Sequence, residues 1–156
     1  VATNLIALYS TKKCWLKYPG SSDLLTYLNS NNITIGVVSN FDERLHSILK
    51  DTSLNNHFAF VLTSYEHGSE KPALSIFAEA LKLGAEARGE MIEPSQAIHV
   101  GDNYKLDYVG AKNAGWNSFL MTHGCNRNKH PGVPDFELFS NLDELKSHFK
   151  DLINET

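Results

Sequence analysis

The chain has 156 residues, of which 42% are hydrophobic and 21% charged, and its formal net charge is −4. This composition fits one globular domain with its own core, and it lacks the basic excess typical of nucleic-acid-binding proteins. No apolar run approaches the ~20 residues of a transmembrane helix, and the first residues lack the pattern of a signal peptide. We therefore predict no nucleic-acid or membrane partner and an intracellular, cytoplasmic location, with the nucleus left open.

The cysteines and the first residue indicate the setting and the extent of the chain. Cys14 and Cys125 lie far apart and show no C-x-x-C spacing. One disulfide is possible, but the pattern favours two free thiols in a reducing compartment. The chain begins with Val1, and its first methionine is Met91. We therefore expect a processed, trimmed or partial form of a longer protein.

Hydrophobic periodicity predicts alternating helices and strands. Short apolar runs predict buried strands at residues 33–38, 58–62, 97–100 and 117–121. Apolar residues at helical spacing behind capping residues predict helices at residues 21–31, 43–50, 72–83, 108–114 and 141–153. Polar segments predict loops at residues 85–95 and 122–135, and residues 1–18 are weakly helical. The alternation predicts an α/β fold, in which helices cover both faces of a parallel sheet.

The residues that follow the first two predicted strands suit an anion. Ligands of an open parallel sheet bind beyond the carboxyl ends of its strands. Ser39 and Asn40 offer hydrogen-bond donors there, just before a helix N-terminus, although either residue could simply cap that helix. Lys71 lies directly before a proline that opens a helix and can reach a phosphate. The alternative is a solvated surface lysine.

The residues that follow the third predicted strand suit a divalent cation. Gly101 allows a tight turn, and Asp102 then projects from the strand end as a ligand for a hard cation such as Mg²⁺. Asp107 can return to the same point, toward a metal-bound water or toward Lys71. The alternatives are that Asp102 caps the next helix and that Asp107 is a surface acid. Hydroxyl, ammonium and carboxylate groups at successive strand ends together predict a site for phosphate and a metal ion.

The histidines give weaker signals. His123, Cys125 and His130 share one loop, but their spacing fits no standard zinc pattern, so we interpret the segment as a plain loop. His99 alternates with apolar neighbours in a predicted strand, which favours a hydrogen-bonded core histidine.

Three segments resemble motifs of a known family. VVSNFD (37–42), EKP (70–72) and HVGDNYKLDYVGAKNAGW (99–116) are similar to the second, third and fourth motifs of the haloacid dehalogenase-like hydrolase superfamily. The resemblance spans roughly residues 18–122 and includes correctly spaced strands between the motifs. It implies a Rossmann-like sheet and Mg²⁺-dependent phosphoryl transfer from a small phosphorylated metabolite through an aspartyl-phosphate intermediate.

The resemblance implies a phosphate-binding half of the site. Ser39 would hydrogen-bond the phosphoryl oxygens, and Lys71 would neutralise their charge and hold the nucleophile. Asn40 would be a further substrate-binding residue. Positive groups arranged in advance around a developing charge are usually the largest catalytic contribution.

The resemblance also implies a metal-binding half. Asp102 would bind Mg²⁺, and Asp107 and Asn103 would orient the ligands around it.

The family's first motif has no counterpart in the chain. That motif is an Asp-x-Asp-x-Thr-like segment after a central strand, whereas the one acid before Ser39 is Asp23, at a predicted helix start. Without that strand, the sheet must contain a gap, or the strands that flank the missing one must pair directly. We therefore expect residues 1–18 to be the remnant of a helical cap and residues 19–156 to be an incomplete hydrolase core domain.

The functional expectation follows from this departure. We expect the carboxyl-terminal part of a Mg²⁺-dependent phosphatase-like hydrolase, inactive as this chain alone, whose parent protein is a phosphoric monoester hydrolase. The alternative is a non-catalytic pseudoenzyme or binding module with the same fold. Hydrolysis of carbon–halogen bonds ranks lower, because Lys71, Asp102 and Asp107 suit a metal-assisted phosphoryl site, whereas the dehalogenase reaction does not need Mg²⁺. Oligomeric state stays open.

Overall fold

The computed structural model describes residues 14–124, 130 and 132–154. Its helices are α1 (Ser21–Ser30), α2 (Arg44–Asp51), α3 (Ser64–His67), α4 (Leu74–Arg88), α5 (Gly110–Asn113) and α6 (Leu142–Asn154). Its strands are β1 (Gly36–Ser39), β2 (Phe60–Thr63), β3 (Ile98–Gly101), β4 (Asn117–Met121) and β5 (Leu138–Phe139). A π-helical turn over Tyr104–Val109 leads directly into α5, and a 3₁₀ turn over Asp135–Glu137 leads into β5.

The strands form two separate parallel sets. One set is β1–β2, in which Gly36 lies opposite Phe60. The other is β3–β4–β5, in which Gly101 lies opposite Leu120. Among the residues with a described position, β1 and β3 each pair with a strand on one side only. Of the two arrangements that the sequence left open, the structure therefore has the gap and not direct pairing of β1 with β3.

The buried side chains show that helices cover both faces of the sheet. Successive side chains of a strand point to opposite faces. In β4, Phe119 and Met121 pack with α1 and α6, whereas Leu120 packs with the π-helical turn. On β2, Leu62 packs against α4 and α5. The predicted α/β architecture, a Rossmann-like parallel sheet between helices, is confirmed.

Two predicted boundaries near the middle of the chain were wrong. We predicted that the third helix would stop before Gly84, but α4 continues to Arg88 and ends at Gly89, which has φ of +72°. A single glycine costs a helix only about 1 kcal/mol relative to alanine, and the good helix formers that follow Gly84 outweigh it. The predicted loop at residues 85–95 therefore begins with the last turn of α4.

Other predicted elements shifted or were missed. The helix predicted over residues 108–114 consists of the last two residues of the π-helical turn followed by α5. Strand β5 was not predicted, because its two residues are too few to show a period. The predicted weak helix at residues 1–18 falls mostly outside the described part of the chain, and residues 14–18 are not helical.

Among the helices that the structure describes, none combines the length and the apolar character needed to cross a membrane.

Gly36 provides a test of the contact between β1 and β2. A Cβ atom at this position would overlap the ring of Phe60. We expect Gly36→Ala to lower the free energy of unfolding by about 1–3 kcal/mol through overpacking, measured by urea denaturation. Gly84→Ala is the matched control, because its Cβ would lie 3.7 Å from the nearest side-chain atoms. That variant should be neutral or more stable by up to about 1 kcal/mol. Equal stabilities for the two variants would contradict the register of β1 against β2.

Candidate active site

Lys71 connects the carboxyl ends of two strands that do not pair with each other. The residue is 8% exposed. Its Nζ donates to the carbonyl oxygen of Val38 in β1 at 2.8 Å and lies 2.6 Å from Oδ1 of Asp107, on the turn that follows β3. A lysine ammonium has three N–H donors, and in the described part of the chain these two oxygens are its partners. One N–H remains for a ligand at this edge.

Asn40 holds the lysine in place. Its Oδ1 accepts a hydrogen bond from the backbone N–H of Lys71 at 2.7 Å, and its Nδ2 donates to the backbone carbonyl of Lys71 at 3.0 Å. Both polar atoms of the amide are thus engaged by one residue. The sequence suggested that the Asn40 side chain contacts an anion, whereas the structure uses it to position Lys71.

Asp107 is the most enclosed acid of the site, with 5% of its surface exposed. In addition to Lys71, its Oδ1 accepts from His99 Nε2 at 3.0 Å, and its Oδ2 accepts from the backbone N–H of Asn103 at 2.9 Å. Burial acts to raise the pKa of Asp107, but the His99 and Lys71 hydrogen bonds and the lysine charge outweigh it and hold the pKa well below its usual range. Asp107 is therefore ionised and is not a surface acid.

Gly101 makes room for this carboxylate. A Cβ at Gly101 would overlap the Asp107 side chain. The glycine after the third strand is thus explained by the close approach of Asp107 to the backbone.

Asn103 organises the loop that carries both acids. Its Oδ1 accepts from the backbone N–H groups of Lys105 and Leu106, each at 3.0 Å, and so caps the π-helical turn. The sequence left open that Asp102 could be this cap. Because Asn103 caps the turn, the Asp102 carboxylate is not needed as a cap. The resemblance assigned Asn103 to the metal shell, and here its side chain bonds to the backbone of its own turn.

Ser39 and Asp102 have polar atoms available for a ligand. Ser39 is half-buried at the end of β1, and its hydroxyl makes no hydrogen bond to the described residues. The Asp102 side chain is 71% exposed, and its Oδ2 lies 3.9 Å from Nε2 of His123. Mg²⁺ commonly takes one or two carboxylates and completes its shell with water and substrate oxygens. Asp102 fits one such position.

The structure does not describe a complete metal cage. Among residues 14–124, 130 and 132–154, no group of three or more His, Cys, Asp and Glu side chains could hold a metal ion. Of the loop residues considered for zinc, His123 stacks on Tyr18 with ring centroids 4.5 Å apart, and His130 stacks on Tyr104 at 5.4 Å. Cys125 lies outside the described residues.

His99 belongs to the site, although its partner could not be identified from the sequence. It is 8% exposed and hydrogen-bonded, so the prediction of a buried core histidine is confirmed. Because an ionised carboxylate only accepts hydrogen bonds, Nε2 of His99 must carry the proton. The alternation of His99 with apolar residues indicated burial but gave no sign of Asp107.

The two aspartates allow a matched test of the buried ion pair. Asp107→Asn leaves the Lys71 ammonium buried without its counter-charge, so we expect a loss of about 3–5 kcal/mol in the free energy of unfolding. Asp102→Asn makes the same chemical change at an exposed side chain and should stay within about 0.5 kcal/mol of the native protein. Urea denaturation at neutral pH measures both. Similar losses in the two variants would argue against the pair as described.

The lowered pKa of Asp107 predicts a pH dependence of stability. In the unfolded chain this carboxyl titrates near its ordinary pKa of about 3.9, whereas in the fold it remains ionised at lower pH. Its contribution is therefore complete above about pH 5 and is lost as the pH falls through the depressed folded-state pKa. We expect the stability difference between the native chain and Asp107→Asn to shrink from about pH 5 to about pH 3, as followed by urea titrations. A difference that is constant over this range would contradict the ionised state.

Comparison with known proteins identifies the family of this chain. The model of the haloacid dehalogenase-like hydrolases matches residues 1–115. The human haloacid dehalogenase-like hydrolase domain-containing protein 3 is 40% identical over 121 residues, which cover 78% of this chain and 46% of that protein. The chain spans about half the length of this curated relative.

Two solved structures show the same core. A HAD phosphatase from Thermococcus onnurineus has a TM-score of 0.71 and 27% identity over 83% of this chain and 56% of its own. A 2-haloacid dehalogenase from Pseudomonas syringae pv. Tomato DC3000 also has a TM-score of 0.71, with 25% identity over 88% of this chain and 54% of its own. The motif set, the fold and these likenesses agree, and the chain belongs to the haloacid dehalogenase-like hydrolase family.

Proposed function

We propose that the chain is the carboxyl-terminal part of a Mg²⁺-dependent phosphatase-like hydrolase that acts on a small phosphorylated metabolite. The observation that carries this proposal is the enclosed Lys71, with one N–H unused, at the same edge as the Ser39 hydroxyl and the exposed Asp102 carboxylate. A cation, a neutral donor and a hard oxygen ligand match the needs of a phosphoryl group and its metal ion.

The phosphate half of the proposed site has two donors. The Ser39 hydroxyl donates to one phosphoryl oxygen. The free N–H of Lys71 donates to another and places positive charge beside the group as its negative charge rearranges. Asn40 and Asp107 keep the ammonium in position, so that little reorganisation is required when the substrate arrives.

The metal half of the proposed site rests on Asp102. Its exposed carboxylate offers oxygen to Mg²⁺. The ion would lower the repulsion between a negatively charged phosphate and a carboxylate nucleophile. Similarity to known structures does not choose between phosphatase and dehalogenase, since one of each matches at the same TM-score. The Lys71 ammonium lies at the same sheet edge as the exposed Asp102 carboxylate, which could bind Mg²⁺, and this combination favours phosphate.

The gap between the two parallel sets supports the proposed source of the nucleophile. Within the part that the structure describes, β1 and β3 each lack a partner on one side, while Lys71 bridges their carboxyl ends. We propose that a strand from a preceding segment of the protein lies there and presents the attacking aspartate beside Lys71. The attack on phosphorus would break the ester P–O bond, so that the alcohol leaves with a proton from the second aspartate of the first motif and an aspartyl-phosphate forms. Water would then hydrolyse the aspartyl-phosphate to the free aspartate and inorganic phosphate.

Hydrolysis of p-nitrophenyl phosphate in Mg²⁺ tests this proposal in two forms of the protein. The chain extended by its natural upstream coding segment should hydrolyse the ester and lose activity in EDTA, whereas residues 1–156 alone should show no turnover. In the extended form, Lys71→Met and Asp102→Asn should each reduce kcat by roughly 10²- to 10³-fold. Asp151→Asn, at an exposed acid of α6, should leave kcat unchanged.

The outcomes separate the candidate functions. Mg²⁺-dependent hydrolysis by residues 1–156 that is lost in Asp102→Asn would overturn the requirement for a preceding strand. An extended form without hydrolase activity would overturn the phosphatase proposal and leave the non-catalytic binding module. Activity of the extended form in EDTA on a 2-haloacid would favour a dehalogenase.

A further inference from the structure

A second polar network lies behind the turn that carries Asp107. Glu137 is 8% exposed and Tyr108 is 7% exposed. The Tyr108 hydroxyl donates to Oε2 of Glu137, and Lys112 Nζ donates to Oε1 of the same carboxylate at 2.6 Å. Glu137 thus connects the segment before β5 to both the π-helical turn and α5.

The apolar surroundings of Tyr108 favour one arrangement of its contact with Glu137. Tyr108 packs with three apolar side chains of low exposure, Leu120, Val133 and Leu138. Burial first, and then the Glu137 carboxylate, raise the pKa of the Tyr108 hydroxyl well above its usual value, so that it remains a donor. A buried polar network of this kind favours one arrangement, because any displaced member would be left unsatisfied.

Asp107 and Tyr108 are consecutive residues with opposite tasks. Asp107 binds Lys71 and His99 on one side of the turn, while Tyr108 binds Glu137 on the other. The backbone between them is π-helical, a conformation that is rare and is sustained only where the surroundings support it. A change of register in this turn would move both side chains together.

We infer that Glu137 is a positioning residue for Asp107, which it holds against Lys71 through Tyr108 and the π-helical turn. The catalytic meaning of this inference rests on the proposed function, because Asp107 would then set the direction of the Lys71 ammonium toward the phosphoryl group. Lys112 supports the arrangement by holding the second oxygen of Glu137, and its Nζ lies 5.6 Å from the centroid of the Tyr108 ring.

The ring nitrogens of His99 report the position of Asp107 without any need for activity. In NMR spectra of the 156-residue chain, their chemical shifts depend on the hydrogen bond between His99 Nε2 and Asp107 Oδ1, and His99→Gln assigns the signals. Glu137→Gln and Tyr108→Phe should both move these shifts toward the values found in Asp107→Asn. The double variant should move them no further than the larger single change, because both substitutions act through one contact.

Two controls separate positioning from general loss of stability. Glu79→Gln removes the charge of an exposed ion pair with Lys82 on α4, and Leu145→Val loosens a different part of the core. Both should leave the His99 shifts at their native values. If Glu137→Gln fails to fold, Tyr108→Phe, which removes one hydroxyl and keeps the ring, carries the test.

The result that overturns the inference is an unchanged His99 signal in Glu137→Gln and Tyr108→Phe, or an equal change in Leu145→Val. In the extended form, Glu137→Gln should also lower kcat for p-nitrophenyl phosphate by roughly 10- to 100-fold, and Glu79→Gln should not. If the extended form has no activity, the proposed function fails, and the His99 shifts alone decide whether Glu137 positions Asp107.

Discussion

The buried pair of Lys71 and Asp107 is the interaction on which the rest of the site depends. Their charged atoms lie 2.6 Å apart with little exposure to water. A buried ion pair recovers the cost of leaving water only when further hydrogen bonds satisfy its remaining atoms. Here the Val38 carbonyl serves the ammonium, and His99 with the Asn103 N–H serves the carboxylate. The pair is therefore stable because it is the centre of a network.

That network also joins two parts of the sheet that share no strand pairing. Val38 belongs to β1, and Asp107 follows β3, so the lysine between them fixes the relation of the two strand ends. The local features of the turn serve the same purpose. Gly101 leaves space for the carboxylate, and Asn103 caps the π-helical turn from which Asp107 projects. The roles of Gly101 and Asn103 are thus explained by the need to place Asp107 against Lys71.

The parts of this arrangement that can be predicted from sequence are the local ones. Strand ends follow from short apolar runs, and parallel strands bring their ends together, so Lys71, Asp102 and Asp107 could be assigned to one edge before the structure was known. The hydrogen bonds of Asn40 to the backbone of Lys71 could not be predicted, because they join residues 31 positions apart and leave no periodic signal in the sequence. Nor could the contact of Tyr108 with Glu137, which lie 29 positions apart. The predicted end of α4 was wrong for a different reason, because Gly84 was interpreted as a helix end although the helix continues to Arg88.

The division between engaged and available groups bears on how the site works. Asn40 bonds to Lys71, His99 bonds to Asp107, and Asp107 uses its oxygens on Lys71, His99 and the Asn103 N–H. By contrast, the Ser39 hydroxyl, the Asp102 carboxylate and one N–H of Lys71 have no described partner at hydrogen-bond distance. The groups that bond to one another hold the site in position, and the groups without a described partner are the ones that would contact a ligand. A site divided in this way is arranged before any ligand binds, because the positions of its donors are fixed by protein contacts and not by the ligand. Such preorganisation is the condition under which electrostatic groups contribute most to a reaction that moves charge, and it is already present in this half of the proposed site.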